Sequence, residues 1–96
     1  MIFRRPPTTP VCGHKLTVRQ VLAIRTLRKL RRPAMVAYIA DEMEDASDSE
    51  LHGIFNHLDR LGGIVTRKVQ EAGSSRAVLW WLTDEALAFI DGSRAE

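Results

Sequence analysis

The fold is decided by residues 47–91, which read SDSELHGIFNHLDRLGGIVTRKVQEAGSSRAVLWWLTDEALAFID. This stretch begins as a polar, capped amphipathic segment and stops at a Gly-Gly pair. Two strand-like runs joined by a small polar turn follow, and Leu-Thr-Asp-Glu then opens a last helix. A helix followed at once by a short hairpin indicates a binding module rather than an active site.

The helix within this stretch has clear start and stop signals. Ser47 and Glu50 form a capping-box signature at its start, and Gly62 or Gly63 is a natural left-handed end. Apolar residues recur between them at helical spacing, which predicts one buried face made of Leu51, Ile54, Phe55, Leu58 and Leu61.

The hairpin is expected to have strands over about 64–71 and 76–83, with its turn at 72–75. If Leu82 points inward, strand alternation also turns Trp80 inward and leaves Leu79 and Trp81 outward. Exposed apolar clusters tend to be interfaces, so we expect a homodimer. Its predicted contact residues are Leu79, Trp81, Leu87 and Ile90. The alternative is that the last helix folds over the two strand residues.

Two further helices are expected upstream. Thr17 and Gln20 form a second capping box, which predicts a helix over about 18–31, and Pro33 forbids its simple continuation. The next helix is predicted over about 34–43, with Pro33 at or near its first position. Val18 and Leu22 fall on the basic side of the first helix, so they require cover.

The chain is expected to divide into three parts. Residues 1–16 contain three of the four prolines and predict an extended, basic N-terminal arm. Residues 17–92 form the folded domain, and residues 93–96 are a C-terminal tail.

The net charge of +2 hides a strong asymmetry. Residues 1–33 carry a net charge of +9, residues 34–66 carry −6, and residues 67–96 carry −1. A basic first third suits a polyanion, whereas an acidic middle third has the wrong sign for phosphate contact. An alternative is intramolecular, with the basic first helix pairing with the acidic second helix and the turn after it.

Several classes of function lack the residues they need. There is no Gly-rich phosphate loop and no HExxH or GxSxG motif, so we expect no enzyme, no metal and no cofactor. No apolar run is long enough to cross a membrane, and the N-terminus does not resemble a signal peptide. The single cysteine, Cys12, fits a reducing cytoplasm.

Residues 17–92 resemble the winged helix-turn-helix superfamily, most closely compact regulators of the MarR and PadR type. The resemblance is carried by LDRLGGIVTRK at 58–68 and by WWLTDEA at 80–86. It implies an α+β fold, with a three-helix bundle, a two-stranded hairpin wing and a short C-terminal helix. The chain departs from the pattern at Ala86, where the family has glycine, in lacking long flanking helices, and in its acidic helix-turn-helix.

This resemblance implies a transcriptional regulator that binds double-stranded DNA. The outward residues of helix 47–62 would read the major groove, with Asn56 on adenine, Arg60 on guanine and a histidine on phosphate. The predicted contacts on this helix are Ser49, His52, Asn56 and Arg60. Those of the wing and arm are Arg67, Lys68, Arg76, Arg4 and Arg5, which would contact the backbone or a minor groove.

The simpler interpretation is that the helix residues are ordinary solvent-exposed side chains and that the wing cations are edge-strand charges that discourage aggregation. A second function also remains open, because a fold does not fix a function. A winged helix can serve as a protein-interaction module, with the acidic surface of residues 41–50 binding or inhibiting a basic protein partner. One such partner is a basic protein that itself binds nucleic acid.

Overall fold

The computed structural model describes residues 8–92. Its elements in chain order are β1 (Thr8–Val11), β2 (His14–Thr17), α1 (Val18–Leu30), α2 (Val36–Met43), α3 (Asp48–Leu61), β3 (Val65–Ala72), β4 (Ser75–Leu82) and α4 (Asp84–Gly92). Helices α1 to α3 are followed by the antiparallel hairpin β3–β4, the wing, and by the short α4. The predicted α+β winged helix-turn-helix fold is confirmed.

The helix starts follow from capping side chains. Thr17 Oγ1 accepts from the Gln20 N–H at 3.2 Å, while the Gln20 side chain accepts from the Thr17 N–H at 2.9 Å. Ser47 Oγ accepts from the Glu50 N–H at 3.1 Å, and Thr83 Oγ1 caps α4 in the same way. The predicted caps at Thr17 and Ser47 are confirmed, but at Ser47 only the Oγ half of the capping box forms, because the Glu50 carboxylate binds Arg19.

The N-terminal segment corrects the prediction of an extended arm. Strands β1 and β2 form an antiparallel hairpin whose turn, Cys12-Gly13, has positive φ angles of 51° and 84°. Val11 and Leu16 are completely buried in the core of the domain. A hairpin of two strands needs few ladder hydrogen bonds, so Pro10 is tolerated while these two apolar side chains leave water.

The start of α2 is also corrected. Ala34 is not helical but pairs with β4, its N–H donating to the Trp80 oxygen at 3.1 Å and its oxygen accepting from the Trp80 N–H at 2.9 Å. Helix α2 therefore begins at Val36, and Pro33 lies outside it. This isolated β-bridge joins the wing to the helical bundle.

The core is shared by all eight elements. Phe55 of α3 stacks on Trp80 of β4, with ring centroids 5.5 Å apart and an interplanar angle of 24°. Around this pair lie side chains from the hairpin, the helices and the wing, among them Leu16, Leu27, Ile39, Leu58, Leu82 and Ile90. The Phe55–Trp80 stack fixes α3 and the wing relative to each other.

The prediction that the apolar interface residues form an exposed patch is wrong. Leu79, Trp81 and Leu87 are half-buried, and Ile90 is 5% exposed. Trp81 and Leu87 pack against the core, and Leu79 lines a groove beside the start of α2. The exposed large apolar side chains of the described range lie elsewhere, at Val18, Leu22, Tyr38 and Phe89.

Candidate nucleic-acid interface

The outward side of α3 presents a narrow polar stripe. At 100° per residue, Ser49, Gly53, Asn56 and Arg60 lie within a sector of about 60° opposite the buried Leu51. All four are exposed, and His52 is exposed outside the sector, about 40° from its edge. We call the four central residues the reading face. It contains one cation and no carboxylate.

The acidic residues of α3 lie outside this sector. Asp48 and Asp59 fall on one flank of the helix, beside His52, and Glu50 falls on the other. Helix periodicity therefore separates the carboxylates from the residues that would face a polyanion. The negative charge of α3 therefore lies on the two sides of the helix that border the reading face.

Glu50 also forms an ion pair that the sequence did not predict. Arg19 of α1 donates to both carboxylate oxygens of Glu50, from Nη2 at 2.7 Å and from Nε at 2.8 Å. Its Nη1 lies 3.3 Å from Asp45. Hydrogen bonding to Arg19 lowers the pKa of Glu50. No local signal reveals this contact, because the partners are 26 and 31 residues apart.

Other bases of α1 also pair within the domain. Lys29 lies 3.2 Å from Glu42 of α2, and Arg28 lies 3.2 Å from Asp91 of α4. The intramolecular explanation for the basic first helix is therefore confirmed at Arg19 and Lys29. Arg25 has no ion pair within residues 8–92.

The basic residues of the wing divide between its two faces. Arg67 pairs in register with Trp80 and Arg76 with Glu71, so both lie on the face that carries Trp80. Lys68 pairs with Leu79 on the opposite face. All three cations are exposed. Cations on both faces suit a wing that lies against a phosphate backbone, and they also suit an ordinary solvated hairpin.

The described residues show no cluster of side chains that could hold a metal ion. Within residues 8–92, no group of three or more His, Cys, Asp or Glu side chains is placed to hold a metal ion. Burial, with a further contribution from the charge of Glu85, raises the pKa of the Cys12 thiol, which makes it a weaker nucleophile at neutral pH. Arg4 and Arg5 lie outside the described residues.

A groove of about 540 Å³ lies between the start of α2 and the outer face of the wing. Its lining combines the apolar Met35, Tyr38 and Leu79 with Asp41, Glu42 and Arg32, and Glu42 is paired with Lys29. Tyr38 is 60% exposed. After the reading face of α3, this groove is the second candidate binding surface.

No helix between residues 8 and 92 has both the length and the apolar character that a membrane crossing requires. No protein-family model matches the chain, and no curated protein matches its sequence. Among solved structures, it resembles the reduced form of the transcriptional regulator YodB from B. subtilis, with a TM-score of 0.64 and 21% identity. The alignment covers 82% of this chain and 76% of that one. The chain thus shares the fold of that regulator, and the finer resemblance to the MarR type stays a prediction.

Proposed function

We propose that this chain is a transcriptional regulator that binds double-stranded DNA in the cytoplasm. The observation that carries the proposal is the composition of the reading face, where the exposed centre of α3 holds hydrogen-bonding side chains, one cation and no carboxylate. The likeness of its fold to that of the transcriptional regulator YodB supports the same function. We place α3 in the major groove and the wing against the backbone.

The side chains of the reading face match the chemistry of base edges. Asn56 can form two hydrogen bonds with adenine, and Arg60 can form two with guanine. Ser49 and His52 lie nearer the start of α3, where they would contact phosphate or sugar and fix the register of the helix.

The wing would add affinity without reading sequence. Arg67 and Arg76 share one face and Lys68 occupies the other, so the hairpin carries positive charge whichever face lies against the duplex. Such contacts release counterions and strengthen binding to every sequence alike. Arg4 and Arg5 are proposed to add charge in the same way.

A homodimer remains part of the proposal, on a different surface from the one first expected. Val18 and Leu22 lie one turn apart on α1 and are 59% and 41% exposed. Neither is covered within the described residues, and a two-fold contact between copies is the commonest way to cover such side chains.

The DNA proposal is tested by fluorescence anisotropy with a selected duplex and a scrambled one across a salt series. Asn56→Ala and Arg60→Ala should each weaken the selected duplex by about 1–3 kcal/mol and relax preference at one base pair. Arg67→Ala and Lys68→Ala should weaken both duplexes equally and lower the salt slope by roughly one unit each.

Asp59→Ala is the matched control, because Asp59 is exposed on the same helix but outside the reading face. It should leave base preference unchanged and strengthen both duplexes slightly. If neither duplex binds the unmodified chain below about 100 μM at low salt, the DNA proposal is wrong.

A second candidate is a protein-interaction module, and the groove beside α2 favours it. Its apolar lining, with Asp41 free of an ion pair within residues 8–92, suits a partner segment that has apolar side chains and a basic one. The proposed partner is a basic protein, including one that itself binds nucleic acid. Tyr38→Ala would then abolish capture of that partner while leaving DNA affinity intact.

A further inference from the structure

Basic side chains surround a hollow at the C-terminal end of α1. The hollow has a volume of about 310 Å³ and is lined by Arg25, Arg28, Lys29, Arg31 and Ile90. We call it the arginine hollow. Within the described part of the chain, no carboxylate lines it.

The nearby acids balance only half of this charge. Arg28 pairs with Asp91 and Lys29 pairs with Glu42, each at 3.2 Å. Arg25 and Arg31 have no ion pair with any residue in 8–92. Two guanidinium groups around one hollow are therefore left without a counter-charge from the described chain.

The helix end explains some of these cations but not all of them. Lys and Arg in the last turn of a helix are stabilised by its free carbonyl groups, which accounts for Arg28 and Lys29. Arg25 lies about one turn further from the end of the helix. The effect of the helix end is weak at that distance.

Arg31 occupies a backbone conformation that favours glycine. Its φ is 62° and its ψ is 18°, the left-handed region, at the C-cap of α1. Glycine adopts this conformation without the steric cost that an L side chain meets there. The backbone cost of an arginine at this position is offset in part by the helix end, which stabilises its positive charge.

We propose that the arginine hollow binds a phosphate group. A phosphate carries up to two negative charges on one small group, which matches the two unpaired guanidinium groups. The planar guanidinium fork forms paired hydrogen bonds to phosphate oxygens, and three of the four lining cations are arginines. The phosphate is that of a free phosphorylated small molecule or of a nucleic-acid backbone.

The first test is calorimetric titration of the full chain with inorganic pyrophosphate. We expect saturable binding that Arg31→Gly and Arg25→Gln each weaken about tenfold, the loss of one charge-assisted contact. Arg31→Gly relieves the left-handed arginine, so thermal unfolding should show no loss of stability. Its weakened binding then has no explanation in misfolding.

Lys15→Gln is the control, because it removes one positive charge from an exposed position on β2 that does not line the hollow. It should change pyrophosphate affinity less than about twofold, since an exposed charge that makes no contact with the ligand acts on it only through screened solvent. An equal loss in this control overturns the proposal, as does the absence of saturable binding at millimolar pyrophosphate. Binding that occurs only after deletion of residues 93–96 also overturns the proposal. The hollow would then be the docking site of those residues rather than of a phosphate.

A second arm identifies the source of the phosphate. If it comes from DNA, Arg31→Gly should lower the salt slope of duplex binding by about one unit. If it comes from a small molecule, the duplex salt slope should stay unchanged while pyrophosphate binding falls. The pyrophosphate titration contains no DNA, so failure of the DNA proposal leaves its result intact.

Discussion

Gly53 lies at the middle of the exposed side of α3, where an added Cβ would meet no atom of the described chain within 4 Å. The fold gains nothing from glycine there, since a glycine inside a helix is less favourable than alanine. A glycine on the reading face does allow a close approach of the helix backbone to a partner.

Gly53→Ala is therefore expected to separate stability from binding. The free energy of unfolding should rise by about 0.5–1 kcal/mol, while affinity for the selected duplex falls. Urea unfolding and anisotropy measure the two effects. Gly92→Ala, at an open position away from α3, should leave the duplex affinity unchanged. Unaltered DNA affinity in Gly53→Ala would count against close docking of α3.

Arg19 makes stability depend on pH through Glu50. It lowers the pKa of that carboxyl from the ordinary 4.5, so the pair stabilises the fold fully above that value. The contribution is lost as pH falls below 4.5 through the lowered folded pKa. We expect Arg19→Gln to lower the melting temperature at pH 7 and to have a much smaller effect at pH 3.

Circular dichroism melts at the two pH values measure this difference. Arg25→Gln is the control, because Arg25 lies on the same helix without an ion pair in residues 8–92. Its effect on the melting temperature should not shrink on acidification in the same way. An Arg19→Gln effect that is equal at both pH values would contradict the role of the pair.

At the scale of elements, the caps of α1, α3 and α4 were predictable because each depends on residues three positions apart. The hairpin β1–β2 was not, because prolines weaken the strand signal and the burial of Leu16 depends on the whole core. The start of α2 was missed for a similar reason. Ala34 leaves the helix to pair with Trp80, and nothing near Ala34 in the sequence indicates that distant strand.

The hairpin makes a prediction that an extended arm does not. Leu16→Ala should lower the free energy of unfolding by about 2–5 kcal/mol, the usual cost of truncating a buried leucine. Val18→Ala, only two residues along but 59% exposed, should change it by less than about 0.5 kcal/mol. Urea unfolding of both variants measures the difference. A negligible effect of Leu16→Ala would show that β1–β2 is not part of the core.

At the scale of the molecule, the candidate site was partly predictable. Periodicity correctly placed Asn56 and Arg60 on the exposed side of α3. The pairing of Glu50 beside that surface was not predictable, because its partner is an arginine from another helix. Nor was the burial of Trp81, which packs against the core of the domain.

The proposed dimer is tested on the surface that the fold leaves exposed. Leu22→Glu should give a soluble monomer by sedimentation velocity if two copies meet at α1. Tyr38→Glu, which introduces the same charge at an exposed apolar position on α2, should leave the dimer intact. Monomerisation by Tyr38→Glu alone would move the contact to the groove beside the wing. A wild-type chain that sediments as a monomer would end the dimer proposal.

The shared core also constrains the order of events during synthesis on the ribosome. Val11 and Ile90 come from opposite ends of the described range, yet both are buried in one cluster with the residues beneath α3 and the wing. Domains generally fold as units during translation. A nascent chain that has not yet released α4 lacks Ala86 and Ile90, so its core is still open. The core is therefore complete only once all of residues 8–92 have been synthesised and released.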